Sequence, residues 1–252
     1  MLHFIIMEYK GIIFDKDGTL FDYYTVWAPV MREAITSILS KIGKEGDKEL
    51  EVELLEILGI GVQEMNPKGL IFMHNKVMML VRLFLFSKAK NIPYKLLYNA
   101  LKTSYYGSED LIKASLVSNT DETLLLPLFK ELKERGYIIG IVTSDNKKST
   151  AVCLDHFHIL PYIDMVSTYD DHYRRKPHPQ SFKAFCNKFS LSPSEVIVVG
   201  DATVDMVYAS RGKAGYKVGV LTGSNDIENL SKVADIVYPT IQSLFEDKKI
   251  FN

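Results

Sequence analysis

Two carboxylates stand two residues apart in Phe14-Asp15-Lys16-Asp17-Gly18-Thr19-Leu20-Phe21-Asp22. The run before them, Tyr9 to Phe14, reads as a buried strand. Alternate side chains on a strand share a face, so Asp15 and Asp17 can point into one cleft. Gly18 lets the backbone turn sharply just after them. Two like charges about 4 Å apart repel by roughly 4 kcal/mol at an effective dielectric of about 20. Such a pair calls for a cation, a shared proton or open solvent. On its own the pattern is more often a solvated acidic turn; the rest of the chain weighs against that reading.

Two more acids stand at a strand end. Val196 to Val199 is apolar and runs into Gly200-Asp201, and Asp205 follows four positions later. That spacing puts Asp201 and Asp205 on one side of a helix. Together with Asp15 and Asp17 they gather four carboxylates, a hard-oxygen set suited to Mg²⁺. Lys176, in Arg174-Arg175-Lys176-Pro177-His178-Pro179, is the expected cation, on a loop restricted by its prolines. Four carboxylates, Mg²⁺ and one lysine leave a single negative charge, which one protonated Asp removes. Such a site accepts a phosphate anion that it would repel without the metal.

The elements that must position these groups alternate. Thr120 or Asp121 is expected to cap a helix through Leu132 that ends at Gly136. Tyr137 to Val142 is an apolar strand ending in Thr143-Ser144-Asp145, and a helix through His156 follows. A short strand near 163–167, a helix over 181–189, and strands over 218–221 and 236–238 complete the pattern. Alternation of this kind predicts an α/β fold, a Rossmann-like parallel sheet sandwiched between helices. Ligands bind beyond the carboxyl ends of such strands, and there Asp15, Asp17, Thr143, Ser144 and Asp201 converge.

Between the first strand and this pattern lies a helical block. Val26, Val30, Ala34, Ile38 and Leu39 recur at helical spacing, as do Leu50, Leu54, Leu55 and Leu58 before Gly59. A third stripe is Met73, Val77, Leu80, Val81 and Phe84, and Pro93 opens a fourth helix through Leu96, Leu97, Ala100 and Leu101. The expected organisation is a core domain of residues 1–22 and 120–252 with an all-helical cap of residues 23–119 inserted over the site. Trp27, Met73, Met78 and Met79 are read as core filling rather than substrate contacts, and Arg32 as packing or surface.

The chain has 252 residues, 47% hydrophobic and 24% charged, with a formal net charge of -1. That balance gives no bulk attraction to nucleic acid or an anionic membrane. The stretch Leu70 to Phe86 carries His74, Asn75, Lys76 and Arg82, so a buried helix is expected there rather than a membrane span. Met1 to Lys10 lacks the basic region and cleavage site of a signal peptide. Cys153 and Cys186 form no framework and are read as buried thiols, which fits a cytoplasmic setting.

Asp15-x-Asp17-Gly18-Thr19, Thr143, Lys176-Pro177-x-Pro179 and Gly200-Asp201-x-x-x-Asp205 resemble, in order and spacing, the four motifs of the haloacid dehalogenase superfamily. The phosphatase branch with a helical cap after the first motif, like the phosphoglycolate phosphatases, is the nearest likeness. The resemblance implies that Asp15 is the nucleophile and that Asp17 acts as acid and then base. It implies that Asp15, Asp201, Asp205 and the Asp17 carbonyl hold Mg²⁺. Thr143, the Ser144 backbone and Lys176 would bind the phosphoryl group, and Gly18 to Phe21 would form a small mobile flap, with Asp22 fixing the hinge into the cap. The expected substrate is a small-molecule phosphate ester. Arg174 and Arg175 depart from the pattern without an assigned role. A phosphosugar mutase of the same superfamily is the alternative; a receiver-like phosphorylated switch and a non-catalytic phosphate-binding protein are alternatives of a different class.

Overall fold

The computed structural model describes residues 9–61, 66, 69–70, 76–99, 109–223 and 227–251. The chain divides into two compact units, one of Met1–Asp22 with Asp121–Asn252 and one of Tyr23–Thr120.

The second unit is built of helices. α1 (Tyr23–Lys41) buries Val26, Trp27, Val30, Met31, Ala34, Ile35, Ile38 and Leu39, a stripe that repeats every three to four residues. α2 (Lys48–Leu58) starts where the Asp47 side chain accepts the Leu50 N–H at 3.1 Å and ends at Gly59, whose φ of 102° suits glycine. α3 is Lys76–Ala89, residues 94–99 are helical after Pro93, and α4 is Glu109–Asn119. α4 packs on α1, where the Ser115 hydroxyl donates to the Val26 carbonyl at 2.6 Å.

The expected third stripe is corrected here. Val77, Val81 and Phe84 of that stripe are 71%, 46% and 45% exposed, and Met78, read as core filling, is 51% exposed, whereas Leu83 and Ser87 are buried. α3 is apolar on almost every side, so its spacing cannot say which face turns inward. Trp27 is buried as expected. Met73, Ala100 and Leu101 lie outside the described residues.

The first unit holds a six-stranded sheet, parallel throughout, in the order β3-β2-β1-β4-β5-β6. Its strands are β1 (Gly11–Phe14), β2 (Ile138–Val142), β3 (Met165–Ser167), β4 (Val196–Gly200), β5 (Tyr216–Val220) and β6 (Ile236–Tyr238). The connecting helices are α5 (Leu126–Glu134), α6 (Lys147–His156), α7 (Gln180–Phe189), α8 (Thr203–Gly212) and α9 (Ile227–Leu230). Every residue of β1 and β4 is buried, as expected for strands covered on both faces. On one face Ile13, Val196 and Val198 pack with Phe182 and Phe185 of α7 and Tyr208 of α8. On the other, the Phe14 ring lies 5.4 Å from Phe129 of α5. β1 sits between β2 and β4, with Phe14 level with Ile141 and Val199. The residues that follow these three strands therefore emerge side by side.

One helix start differs from expectation. α5 begins at Leu126, not at Thr120 or Asp121. The Asp121 side chain instead accepts the Thr123 N–H and hydroxyl at 2.9 and 2.7 Å, closing a local turn. Pro127 then sits in the first helical turn, where its lack of an N–H costs nothing.

Candidate active site

The site is built at the carboxyl end of the three central strands. Asp15 leaves β1 with its N–H donating to Val199 O at 2.9 Å, which anchors it to β4. Thr143 leaves β2 and donates its N–H to Ser167 O at 2.9 Å. Asp201 leaves β4, and Asp205 lies in the first turn of α8, accepting the Ala202 N–H at 3.1 Å. A carboxylate there also complements the helix dipole.

Carboxylate oxygens of Asp15, Asp201 and Asp205 lie within 4.8 Å of one another. Lys176 reaches this cluster from the loop before α7: its ammonium is 2.5 Å from Asp15 Oδ1 and 2.6 Å from Asp205 Oδ1. Burial opposes the charge on Lys176, but Asp15 and Asp205 outweigh it and hold the ammonium well above its ordinary pKa. Burial pushes the Asp15 carboxyl up, against the pull of Lys176. The Thr19 hydroxyl donates toward Asp15 Oδ2 and Asp201 Oδ1 at 3.3 and 3.4 Å.

The backbone is fitted closely around Asp201. Gly18 has a φ of 80°, and a Cβ on it would come within 2.7 Å of Gly223 Cα and 3.0 Å of the Asp201 carboxylate. A Cβ on Gly223 would lie 2.1 Å from Asp201 Oδ2. The Thr222 hydroxyl donates to Gly18 O at 2.7 Å and ties the two loops together.

The Asp17 carboxylate does not join the three-acid cluster. It turns to Lys16, whose buried ammonium lies 2.6 Å from Asp17 Oδ1 and 2.9 Å from Asp145 Oδ2. Burial is the main force raising the Asp17 pKa; Lys16 opposes it and Asp145 adds to it, leaving the carboxyl at about 6. The side chains of Asp15 and Asp17 keep 11% and 16% of their surface exposed. Burial also disfavours the Lys16 charge, but Asp17 and Asp145 raise its pKa overall. Cys153 Sγ is 3.8 Å from the Lys16 ammonium, and burial pushes the thiol to about 12, so it is neutral at pH 7.

The structure thus brings Asp15, Asp201, Asp205 and Lys176 into contact and sets Asp17 one step aside. Thr143 and the exposed Ser144 line a cleft with Lys176. Reading the sequence alone missed Lys16, Asp145 and Gly223, and named Thr19 within the first motif without its contacts to Asp15 and Asp201. A signal for Asp145 was present, since it directly follows Thr143-Ser144 at the same sheet edge. For Lys16 the signal was a cation between two acids behind a buried strand. Cys153 and Cys186 are buried free thiols.

Residues 9–212 match the sequence pattern of haloacid dehalogenase-like hydrolases. The chain is 30% identical over 88 residues to pyrophosphatase PpaX of Bacillus pumilus, covering 35% of this chain and 41% of that protein. It is 30% identical over 112 residues to validoxylamine A 7'-phosphate phosphatase of Streptomyces hygroscopicus subsp. limoneus, covering 44% of this chain and 51% of that one. These two matches span about 41% and 51% of the relatives' own lengths. Among solved structures, a predicted phosphoglycolate phosphatase from Haemophilus somnus 129pt shares the fold with a TM-score of 0.64 and 20% identity, covering 94% of this chain and 97% of that one. Among the described residues no helix is long and apolar enough to cross a membrane.

Proposed function

The chain belongs to the haloacid dehalogenase-like hydrolases, and from that membership we propose that it is a Mg²⁺-dependent phosphatase that cleaves a small phosphomonoester through an aspartyl-phosphate on Asp15. The observation that carries this reading is Asp15 itself. It sits at the end of the central strand, is held by Lys176, and is clustered with Asp201 and Asp205. The names of the two matched relatives, a pyrophosphatase and an organic phosphate phosphatase, support it.

The donor set fits Mg²⁺. It is all oxygen, three carboxylates converge, and a single lysine leaves them short of neutral. Asp15, Asp201 and the Asp17 carbonyl would hold the ion, with Asp205 reaching it through water, and when bound it would neutralise charge on the phosphoryl oxygens. Asp205 already spends Oδ1 on Lys176 and Oδ2 on the Ala202 N–H, so its part is to orient and to balance charge.

The chain's own residues divide the rest of the work. Lys176 fixes the rotamer of Asp15 by holding Oδ1. A carboxylate oxygen of Asp15 attacks phosphorus and forms a new P–O bond, while the ester P–O bond breaks. Asp17 gives its proton to the departing oxygen; a pKa of about 6 leaves it protonated for part of the time near neutral pH. Asp17 then takes a proton from water as the water attacks phosphorus, which releases phosphate and restores Asp15. Thr143, Ser144 and Lys176 hold the phosphoryl oxygens. The helical insert begins at Tyr23, just after the loop carrying Asp17. The substrate is a soluble metabolite and the setting is cytoplasmic.

The test is hydrolysis of p-nitrophenyl phosphate by wild type and Asp15→Asn, with MgCl₂ or with EDTA. Turnover that needs both Asp15 and the metal is expected. Metal-independent turnover, or turnover retained in the variant, contradicts the reading.

A further inference from the structure

Arg174 and Arg175 had no role in the sequence pattern, and the structure gives them an unusual setting. They line a cleft with Thr143, Ser144 and Lys176, the groups that hold the phosphoryl oxygens in the reading above. Every other group on its lining is apolar or carries a hydroxyl; no carboxylate faces it. The nearest acids in the same loop are already engaged. Asp170 accepts the Lys147 N–H at 2.7 Å, and Asp171 accepts the Thr168 N–H and hydroxyl at 2.7 and 3.0 Å.

Both arginines are held in place. The Arg175 guanidinium stacks 3.8 Å from the centre of the Tyr169 ring. The Arg174 backbone N–H donates to Gln180 Oε1 at 2.9 Å, which fixes the main chain there, and the Arg174 guanidinium lies 3.3 Å from His178 Nε2. Neither forms an ion pair among the described residues. Two ordered guanidinium groups without a carboxylate partner, beside a phosphate site, are prepared for an anion.

We propose that this cleft binds a second anionic group of the substrate, so that the preferred substrates carry a phosphate or carboxylate beyond the phosphoryl group being transferred. Arg174 and Arg175 supply the paired donors for it, and Tyr173 adds a hydroxyl to the lining. This inference rests on the phosphatase reading of the adjoining site and deepens it.

The experiment measures binding, so it does not depend on turnover. Isothermal titration calorimetry with MgCl₂ compares inorganic pyrophosphate with orthophosphate on Asp15→Asn protein, with and without Arg174→Ala and Arg175→Ala. Pyrophosphate is expected to bind at least about tenfold tighter than orthophosphate, and the paired arginine substitution is expected to close that gap to less than about threefold. A gap that is absent at the outset, or that survives the arginine substitutions, overturns the proposal. So does loss of orthophosphate binding in the arginine variant, because the pair would then belong to the phosphoryl site. Failure of the phosphatase reading appears separately, as absence of Asp15-dependent turnover of p-nitrophenyl phosphate by wild type.

Discussion

The ammonium of Lys16 lies 2.6 Å from Asp17 Oδ1, and the Lys16 side chain has no exposed surface. A buried ion pair with one member removed leaves an uncompensated charge. Lys16 also lowers the pKa of Asp17, against the upward push of burial. Lys16→Met is therefore expected to cost about 3 kcal/mol of stability. It should also move the limb of the pH–rate profile that belongs to Asp17 toward higher pH, because the carboxyl loses the cation that favours its ionised form. Urea unfolding reads the first effect and kcat/KM against pH the second. A destabilised variant with an unmoved limb would reduce Lys16 to a packing role.

The raised Asp17 pKa fixes the sign of a stability trend. The folded protein binds this proton up to a pH of about 6, whereas the unfolded chain releases it near the ordinary value of 3.8. Between those values the folded state holds more protons, so this contribution to stability is present at low pH and lost as pH rises through about 6. Burial of Asp15 acts in the same direction. In EDTA the wild-type Tm should fall more steeply between pH 5 and pH 7 than that of Asp17→Asn. MgCl₂ should raise Tm more at pH 7 than at pH 5, since the ion binds the ionised acids. Parallel slopes for the two proteins would contradict the assignment.

Gly223 gives a steric test of the acid cluster. The Cβ of Gly223→Ala would lie 2.1 Å from Asp201 Oδ2 and 2.7 Å from Gly18 Cα. Neither can stay where it is, so Asp201 is expected to shift away from Asp15 and Asp205. A loss of about 100-fold in kcat/KM and a higher Mg²⁺ requirement are the expected outcome of a metal titration of activity. Wild-type metal dependence in this variant would mean that Asp201 does not hold the ion.

Phe129 lies far from this chemistry in its effect. It is fully buried on α5 with its ring 5.4 Å from Phe14, the residue just before Asp15. Phe129→Ala should cost about 3–5 kcal/mol in urea unfolding through the cavity it leaves. Activity of the folded fraction should fall less than for the Gly223 change.

The sheet and the acids were legible because their signals are local. β1, β2 and β4 are short apolar runs that stop at a turn residue, and the rule that ligands gather at strand ends placed Asp15, Thr143 and Asp201 together. The stripes of α1 and α2 were equally plain, since polar residues mark their outer faces. α3 was not, because Val77, Met78, Val81 and Phe84 are as apolar as the Leu83 that it buries. The start of α5 was lost to a competition between Asp121 as a helix cap and Asp121 as a turn former, which Pro127 settles. Lys16 was missed for another reason. A lysine is ordinarily solvated, and what permits its burial is Asp145, which is distant in sequence and adjacent only after β1 and β2 pair.

The most direct test of Asp15 as the nucleophile is to trap the intermediate. Wild type is mixed with excess p-nitrophenyl phosphate and MgCl₂, quenched in acid and reduced with sodium borohydride, which converts an aspartyl-phosphate to homoserine. Peptide mapping by mass spectrometry should then find homoserine at position 15 and Asp at positions 17, 201 and 205. Homoserine at another of these positions, or none while phosphate is being released, would contradict the account.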